Sequence, residues 1–146
     1  MKEFFIDKFE YDFRSNQKWA EILLKNEDQL SDFVRKSMSH IINVHHIWIS
    51  RILDKKAESH TWDILPIDFW YQLMHDNLRQ TIEYLEHVDH SEKVDYHSEE
   101  GVKLSKSSVD ILYHILNHSN YHRAQIAMEL RKLNIIPPSF NFIAYH

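Results

Sequence analysis

Three histidines, His114, His118 and His122, recur at intervals of four residues in the last third of the chain. On an α-helix this spacing places all three on one side, with successive side chains about one 5.4 Å turn apart. Neutral imidazoles at this spacing can bind a single divalent metal ion. The chain holds 12 histidines in 146 residues, and random placement would give about one such pair. The spacing alone therefore fits a metal site and a row of hydrogen-bonded surface histidines equally well.

The apolar residues of the same segment help to separate these interpretations. With His118 taken as zero on a helical wheel, His122 lies at about 40°, between apolar positions at about 20° and about 60°. The residues at those two positions are Ile111 and Ile115. His114, at about −40°, lies nearer the edge of the apolar arc. A buried imidazole needs partners for its nitrogens, and a metal ion can supply one. The pattern favours His118 and His122 as ligands.

An earlier segment, residues 39–48, adds His40, His45 and His46. On the wheel of this helix His40 lies among the apolar side chains, His45 lies on the far flank of the apolar arc, and His46 lies outside it. One inward histidine here and two on the later helix would make an open three-coordinate site with water in the remaining position. Because histidine titrates near neutral pH, His45 is the candidate catalytic residue, as a proton shuttle.

Four amphipathic segments must position these histidines, and each has the three- and four-residue periodicity of a helix. The sequence predicts helices over residues 2–25, 30–55, 66 to about 85 and 107–134. Short apolar runs on both sides of Gly101 predict a small hairpin within the polar stretch 89–106. The aromatic tail, residues 139–146, is expected to pack back on the helices. The chain is therefore predicted to be all-α, a single up-and-down four-helix bundle domain spanning residues 1–146.

Composition excludes several classes of function. Apolar residues make up 43% of the chain and glycine occurs once, which suits a packed helical core. The formal net charge is −5 and no basic run is present, so a nucleic-acid partner is not expected. The absence of cysteine excludes disulfides and thiolate metal sites. No window approaches the roughly 20 apolar residues of a membrane span, and no targeting segment is visible, so a cytoplasmic location is expected.

Three motifs resemble the DinB-like, DNA-damage-inducible family of metal-binding four-helix bundles. The stretch HILNHSNYHRAQ at 114–125 is similar to the family signature, with Ala124 where glycine is usual. The stretch SHIINVHHIW at 39–48 resembles the second-helix motif, in which a metal-binding histidine precedes a tryptophan by eight residues. The stretch IPPSFNFI at 136–143 resembles the family ending, with Asn141 where aspartate is common. Carried over by position, the resemblance implies the ligands His40, His118 and His122, and a non-ligand role for His114.

The resemblance implies a divalent ion, with zinc and nickel as the first candidates, and a small-molecule substrate. It implies either hydrolase chemistry or transfer of a low-molecular-weight thiol to an electrophile. The thiol S-transferase interpretation is favoured because no glutamate accompanies the histidines on their faces as a general base would. Glu129, two turns beyond His122, is the one exception. A non-catalytic metal-binding protein of a stress response, and a bundle without metal, are the alternatives.

Several neighbouring residues carry weaker expectations. Arg123 and Gln125 are expected to be structural rather than to orient metal ligands. Trp48 is expected in the core and Trp62 over a loop, rather than in a substrate pocket. A homodimer through helix faces is a further prediction. It is based on apolar residues that fall outside the predicted core arc of the second helix, Ile42 and Ile49.

Overall fold

The computed structural model describes residues 1–87, 92–139 and 141–145. Its helices are α1 (Lys2–Lys25), α2 (Asp32–Ile52), α3 (Trp70–His87) and α4 (Ser108–Lys132), and its strands are β1 (Lys93–His97) and β2 (Lys103–Ser107). Short 3-10 turns lie at Glu27–Gln29, Ile67–Phe69 and Phe142–Tyr145. The prediction of an all-α four-helix bundle is confirmed, and the antiparallel β1–β2 hairpin stands where it was expected. Predictions for residues 89–91, 140 and 146 lie outside the described residues.

Local chemistry explains where the helices begin and end. The hydroxyls of Ser31 and Ser107 accept hydrogen bonds from backbone N–H groups in the first turns of α2 and α4, which satisfies donors that have no partner within the helix. Asp54 and Asn134 follow the last turns of these helices with φ of 53° and 58°. Both adopt the left-handed conformation that closes many helix C-termini. These local signals thus set both ends of α2 and α4, the two helices that carry the candidate ligand histidines.

The helices run up, down, down and up. One buried cluster joins the C-terminal half of α1 to the N-terminal halves of α2 and α3 and the C-terminal half of α4, and a second cluster joins the opposite halves. Later residues of α2 contact later residues of α3. Asn77 donates to the Ile42 carbonyl (3.1 Å), and further along both helices His45 bonds Thr81 (2.9 Å). α2 and α3 are therefore parallel, whereas a strict up-and-down order would make them antiparallel.

Parallel neighbours cannot be joined by a tight turn, so the chain must return along the bundle through residues 53–69, hereafter the crossover. Polar side chains of α2 fix the crossover in place. Ser39 accepts from the Leu65 amide (3.0 Å), Asn43 donates to the Asp63 carbonyl (2.8 Å) and His46 accepts from the Glu58 amide (3.0 Å). The crossover consequently lies over the side of α2 that carries His40.

α2 is buried on more than one side, which the periodicity of its sequence did not indicate. Every residue from 37 to 44 is buried, because α3, α4 and the crossover all pack against this helix. Ile42 and Ile49 are 2% and 0% exposed, whereas the apolar Phe33 of the same helix is 47% exposed. The two isoleucines therefore provide no surface for a dimer, and the homodimer stays a prediction without their support.

The described part of the aromatic tail packs on α1, as the sequence predicted. The ring of Tyr11 lies edge-on to Phe142 (4.9 Å between centroids) and to Tyr145 (5.2 Å). Tail and helix thus share an aromatic contact on the side of α1 that faces α4. Among the described residues, no helix combines the length and the apolar character that crossing a membrane requires.

Candidate metal centre

His40, His118 and His122 meet between α2 and α4, and one ring nitrogen of each lies within 4.8 Å of the other two. The Nε2 atoms of His40 and His118 are 2.9 Å apart. The ring centroid of His122 lies 4.6 Å from that of His40 and 4.5 Å from that of His118. Because α2 and α4 are antiparallel neighbours, one turn of α4 presents two imidazoles to the single inward imidazole of α2. The structure thus brings together the three residues that the sequence singled out.

Hydrogen bonds at the far side of two rings set which nitrogen faces the centre. His40 Nδ1 lies 2.9 Å from the Thr61 carbonyl oxygen, and His122 Nδ1 lies 2.8 Å from Gln125 Oε1. Both partners are acceptors, so each Nδ1 carries the proton and each Nε2 keeps a lone pair. This pairing of a ligand histidine with an outer acceptor is the arrangement found around metal-binding histidines. The two rings are oriented as ligands would be.

All three imidazoles are held in the neutral form. Burial, together with the charges of the neighbouring histidines His122, His40 and His114, lowers the pKa of His118 to about 3. Burial also lowers the pKa values of His40 and His122, against the opposing effects of the Thr61 carbonyl and the Gln125 side chain. Neutral imidazole is the form that binds a metal.

The donor set fits a divalent transition metal. The described residues contain one group of three potential ligands, and it consists of these imidazoles without a carboxylate. Imidazole nitrogen suits zinc, copper, iron and nickel, whereas magnesium and calcium prefer oxygen. Three protein ligands also leave a coordination position for a substrate. The residues present therefore fit a divalent transition-metal ion.

Trp62 belongs to this centre, although the sequence suggested only that it covers a loop. Its ring stacks on His40 with centroids 3.7 Å apart and planes 5° apart, and it is edge-on to His122 at 6.3 Å. The side chain is nevertheless 58% exposed. Trp62 thus forms a wall between the histidines and solvent. No sequence signal marked it, because its place depends on the path of the crossover.

Gln125 also differs from expectation, because it bonds His122 rather than a neighbouring helix or the tail. The signal for this contact was present in the sequence. Residues three apart on a helix are neighbours, and an amide oxygen next to an imidazole Nδ1 is a natural acceptor.

His114 and Trp48 line the approach to the centre from the hairpin side. The His114 ring is 5.6 Å from that of His118, and Trp48 lies edge-on to His114 at 5.5 Å. Tyr96 of β1 is in turn edge-on to Trp48 at 5.0 Å. Trp48 is half-buried and packs against the second buried cluster, so it belongs to the margin of the core. The rings of His114, Trp48 and Tyr96 therefore form a row of contacts that leads from the histidine centre to the hairpin.

His45 lies among α1, α2 and α3. Its Nε2–H donates to Thr81 Oγ1 (2.9 Å), whose own proton goes to the Asn77 carbonyl (2.8 Å). Its ring packs on Phe9 at 5.4 Å, and burial lowers its pKa to about 4 despite the attraction of Asp12. These contacts belong to the helix packing. The role of proton shuttle stays a prediction.

A second polar cluster lies between α4 and α1. Arg123 Nη1 donates to Asp12 Oδ1 (2.5 Å), Asn16 Oδ1 (2.7 Å) and Ser119 Oγ (2.8 Å), and all four side chains are buried. The structural role expected for Arg123 agrees with these contacts. Glu129, the candidate base, forms an ion pair with Lys132 (2.5 Å) on the outside of α4.

The fold and the centre define a class: an all-α four-helix bundle whose two facing antiparallel helices bring three neutral histidines together. Comparison with known families agrees with that description. The DinB family matches residues 15–146, which is most of the chain. The chain belongs to the DinB family.

A curated relative extends the match across nearly the whole sequence. The chain is 28% identical over 147 residues to the uncharacterized protein YizA of Bacillus subtilis strain 168. The alignment covers 92% of this chain and 91% of that protein. The two are therefore similar in length and extent as well as in sequence.

Proposed function

We propose that this protein is a metal-dependent enzyme that joins a low-molecular-weight thiol to an electrophilic small molecule. In this proposal His40, His118 and His122 bind one divalent ion, zinc or nickel. The observation that carries it is the convergence of three neutral imidazoles, two of which have their outer nitrogens already hydrogen-bonded. Such a set has the ligand type, number and orientation of an open catalytic site.

The charge of the residues favours a thiol as the further ligand. Three neutral donors leave the charge of a divalent ion uncompensated, and an anion is then attracted to the remaining position. A bound ion would lower the pKa of such a thiol and hold it as thiolate, which is the nucleophilic form. The chain has no cysteine of its own, so no internal thiolate competes for that position. A cytoplasmic location, where small thiols are kept reduced, belongs to the same proposal.

The chain's own residues would position the reactants. The Thr61 carbonyl and Gln125 hold the His40 and His122 rings in their ligand orientation. Trp62 covers one side of the centre, and Trp48 and Tyr96 line the approach from the other. Aromatic walls exclude water and hold an apolar electrophile close to the thiolate. Proximity of this kind supplies much of the rate enhancement of a two-substrate reaction.

The test is turnover that requires both metal and thiol. Purified protein would be stripped of metal, reloaded with zinc or nickel, and assayed with a panel of small thiols and a fluorogenic haloalkane electrophile. We expect thiol-dependent, metal-dependent turnover that is abolished in His118→Ala. His87→Ala, which removes an exposed histidine near the end of α3, is the matched control and should retain full activity.

The possible outcomes separate the alternative functions. Metal-dependent hydrolysis of an ester or amide without added thiol would replace the transferase by a hydrolase. Metal bound with normal affinity but no turnover on any substrate of the panel would indicate a non-catalytic metal-binding protein, as in a stress response. Failure to bind any divalent ion would contradict the proposal at its first step.

A further inference from the structure

Trp62 separates the candidate metal centre from a large cleft. The cleft has a volume of about 950 Å³ and lies between the end of α2, the crossover and the hairpin turn. One face of the Trp62 ring is covered by His40, with planes 5° apart, so the 58% exposure of this side chain belongs to the other face and the ring edges. Thr61, whose carbonyl bonds His40, also lies between the cleft and the centre. A ligand in the cleft would therefore bind outside the histidine centre.

The uncovered face of Trp62 is suited to stacking against a planar aromatic ligand. Indole has a wide flat surface, and stacking on such surfaces contributes to the binding of nucleobases and other planar rings. The Trp62 ring is already fixed by its contact with His40, so little freedom is lost when a second ring packs on its outer side. Trp62 thus forms a preorganised platform in a cleft whose volume is within the range of small-molecule sites, roughly 300–1,000 Å³.

The same cleft contains an arginine that is held by aromatic rings rather than by acids. The Arg51 guanidinium lies 4.5 Å from the Trp48 ring and 4.8 Å from the Tyr96 ring. Packing of a guanidinium against aromatic rings leaves its N–H groups free to donate hydrogen bonds in its own plane. Arg51 forms no hydrogen bond or ion pair with any residue that the structure describes. Its donors are therefore held in place without a partner.

The charge inside the cleft favours an anionic group beside Arg51. The lining includes three basic side chains, Arg51, Lys55 and Lys56, and two acidic ones, Asp63 and Glu99. The local excess is positive, although the whole chain has a formal net charge of −5. Lys55 and Lys56 are exposed and form no ion pair within the described part of the chain, so their charge adds to that of Arg51.

The two acidic side chains of the cleft are engaged by the crossover. Asp63 accepts a hydrogen bond from the His60 amide (2.7 Å), and Glu99 accepts one from the Thr61 hydroxyl (3.2 Å). Glu99 attracts Arg51 electrostatically without forming an ion pair. Because neither carboxylate contacts the guanidinium, an anionic ligand would supply the partner that Arg51 lacks.

We infer that this cleft binds a small, planar aromatic molecule that carries a phosphate group. The ring would stack on the outer face of Trp62, and the phosphate would accept hydrogen bonds from Arg51. A phosphate suits the three basic side chains because it carries up to two negative charges and three acceptor oxygens. The net charge of the chain disfavours a long nucleic acid. This site is separate from the histidine centre and does not depend on the function proposed for that centre.

The experiment is isothermal titration calorimetry of metal-free protein, because phosphate would otherwise compete for an ion at the histidines. 1-Naphthyl phosphate is compared with 1-naphthol, which lacks the anion, and with inorganic phosphate, which lacks the ring. We expect 1-naphthyl phosphate to bind about tenfold or more tightly than either, since a charge-assisted hydrogen bond and an aromatic stacking contact each contribute about that factor.

Two variants assign the two parts of the ligand to their contacts. Trp62→Leu should weaken binding of 1-naphthyl phosphate about tenfold and leave inorganic phosphate unchanged. Arg51→Gln should weaken 1-naphthyl phosphate by a similar factor and leave 1-naphthol unchanged. Tyr113→Leu and Arg79→Gln remove an exposed aromatic ring of α4 and an exposed arginine of α3. These matched controls should bind all three compounds as the unaltered protein does.

A variant of the exposed lysines keeps the inference testable should Arg51→Gln fail to fold. The double variant Lys55→Gln with Lys56→Gln should weaken 1-naphthyl phosphate a few-fold, because screened surface charges contribute less than a direct hydrogen bond.

Three results would overturn the inference. The first is that 1-naphthyl phosphate fails to bind, or binds no more tightly than 1-naphthol or inorganic phosphate. The second is an affinity that neither Trp62→Leu nor the variants of the basic side chains change. The third is tighter binding of a single-stranded oligonucleotide than of 1-naphthyl phosphate, which would assign the cleft to nucleic acid rather than to a small molecule.

Discussion

The two sides of α4 carry two buried polar clusters that differ in how their side chains are partnered. His122 and Arg123 are adjacent in sequence, yet His122 faces His40 of α2 whereas Arg123 faces Asp12 of α1. In the Arg123 cluster a donor meets acceptors, and the charges of Arg123 and Asp12 offset each other. In the histidine cluster three like groups converge, and two of them have lone pairs directed inward.

The difference shows how a structural polar cluster can be told from a binding site. A cluster whose buried charges offset each other needs no ligand to balance them, and it stabilises one packing of the helices. In the histidine cluster, His118 Nε2 can donate to the His40 Nε2 lone pair (2.9 Å) but not to both inward lone pairs at once, so one remains for a ligand. The four predictions that follow test this contrast.

The largest effect is expected for His122→Ala. Removing one of three ligands should reduce the bound metal from one ion per chain to a residual fraction, because two imidazoles retain little affinity against buffer and water. Metal content after dialysis would be measured by elemental analysis, with His87→Ala as control. Full metal content in the Ala variants of His40, His118 and His122, each tested alone, would contradict the assignment of the centre.

The next effect is expected for Arg123→Met, which leaves the Asp12 carboxylate buried without its partner. The free energy of unfolding should fall by about 3–5 kcal/mol, the usual cost of breaking a buried ion pair on one side. Urea denaturation measures it. The metal content of the folded protein should not change, and loss of metal without loss of stability would contradict the contrast.

The double variant Asp12→Asn with Arg123→Met provides the control. It removes both charges, so no uncompensated charge remains and much of the lost stability should return. A double variant as unstable as Arg123→Met alone would mean that packing of the arginine stem, rather than the charge pair, provides the stability.

The sequence predicted the helices and the three histidines because both depend on local spacing. A histidine four residues from another on an amphipathic helix shares its face whatever the rest of the chain does. The direction of α3 was not predictable in this way, since periodicity within a helix says nothing about its neighbour. Trp62 acquires its position only through the crossover, so its role required the tertiary structure.

α2 shows a second limit of pattern reasoning. A helical wheel assumes one buried face, but α2 is covered by α3, α4 and the crossover. The wheel therefore places Ile42 and Ile49 outside the core arc, although both are buried, and His45 on its flank, although it contacts α1 and α3. Small and polar residues such as Ser39 and Asn43 are buried as well, because they bond the crossover.

A smaller effect is expected for Gln125→Ala. The variant keeps all three ligands but loses the acceptor that orients His122. Removal of an outer partner of this type typically weakens metal affinity by about 10–100-fold. Competition with a chelator of known affinity would measure the change, and Gln125→Glu, which restores an acceptor, should recover most of it. Unchanged affinity in Gln125→Ala would show that this hydrogen bond is incidental to the centre.

The smallest effect, and the one that separates His45 from the centre, is expected for His45→Gln. The pKa of His45 is lowered to about 4 in the folded state, against about 6.5 unfolded. Between these values the unfolded chain binds more protons, so the free energy of unfolding falls as pH falls. For this one group the slope reaches at most about 1.4 kcal/mol per pH unit.

A glutamine at position 45 cannot be protonated, so the metal-free variant should show a shallower loss of stability between about pH 6.5 and pH 4 than the unaltered metal-free protein. His118, with its pKa of about 3, maintains a slope of the same sign in both. Urea denaturation at several pH values measures the difference, and His87→Gln is the control. The metal content near neutral pH should not change, because His45 packs against Phe9 and Thr81. An unchanged slope together with a shifted pH–rate profile would instead identify His45 as a group that transfers protons during the reaction.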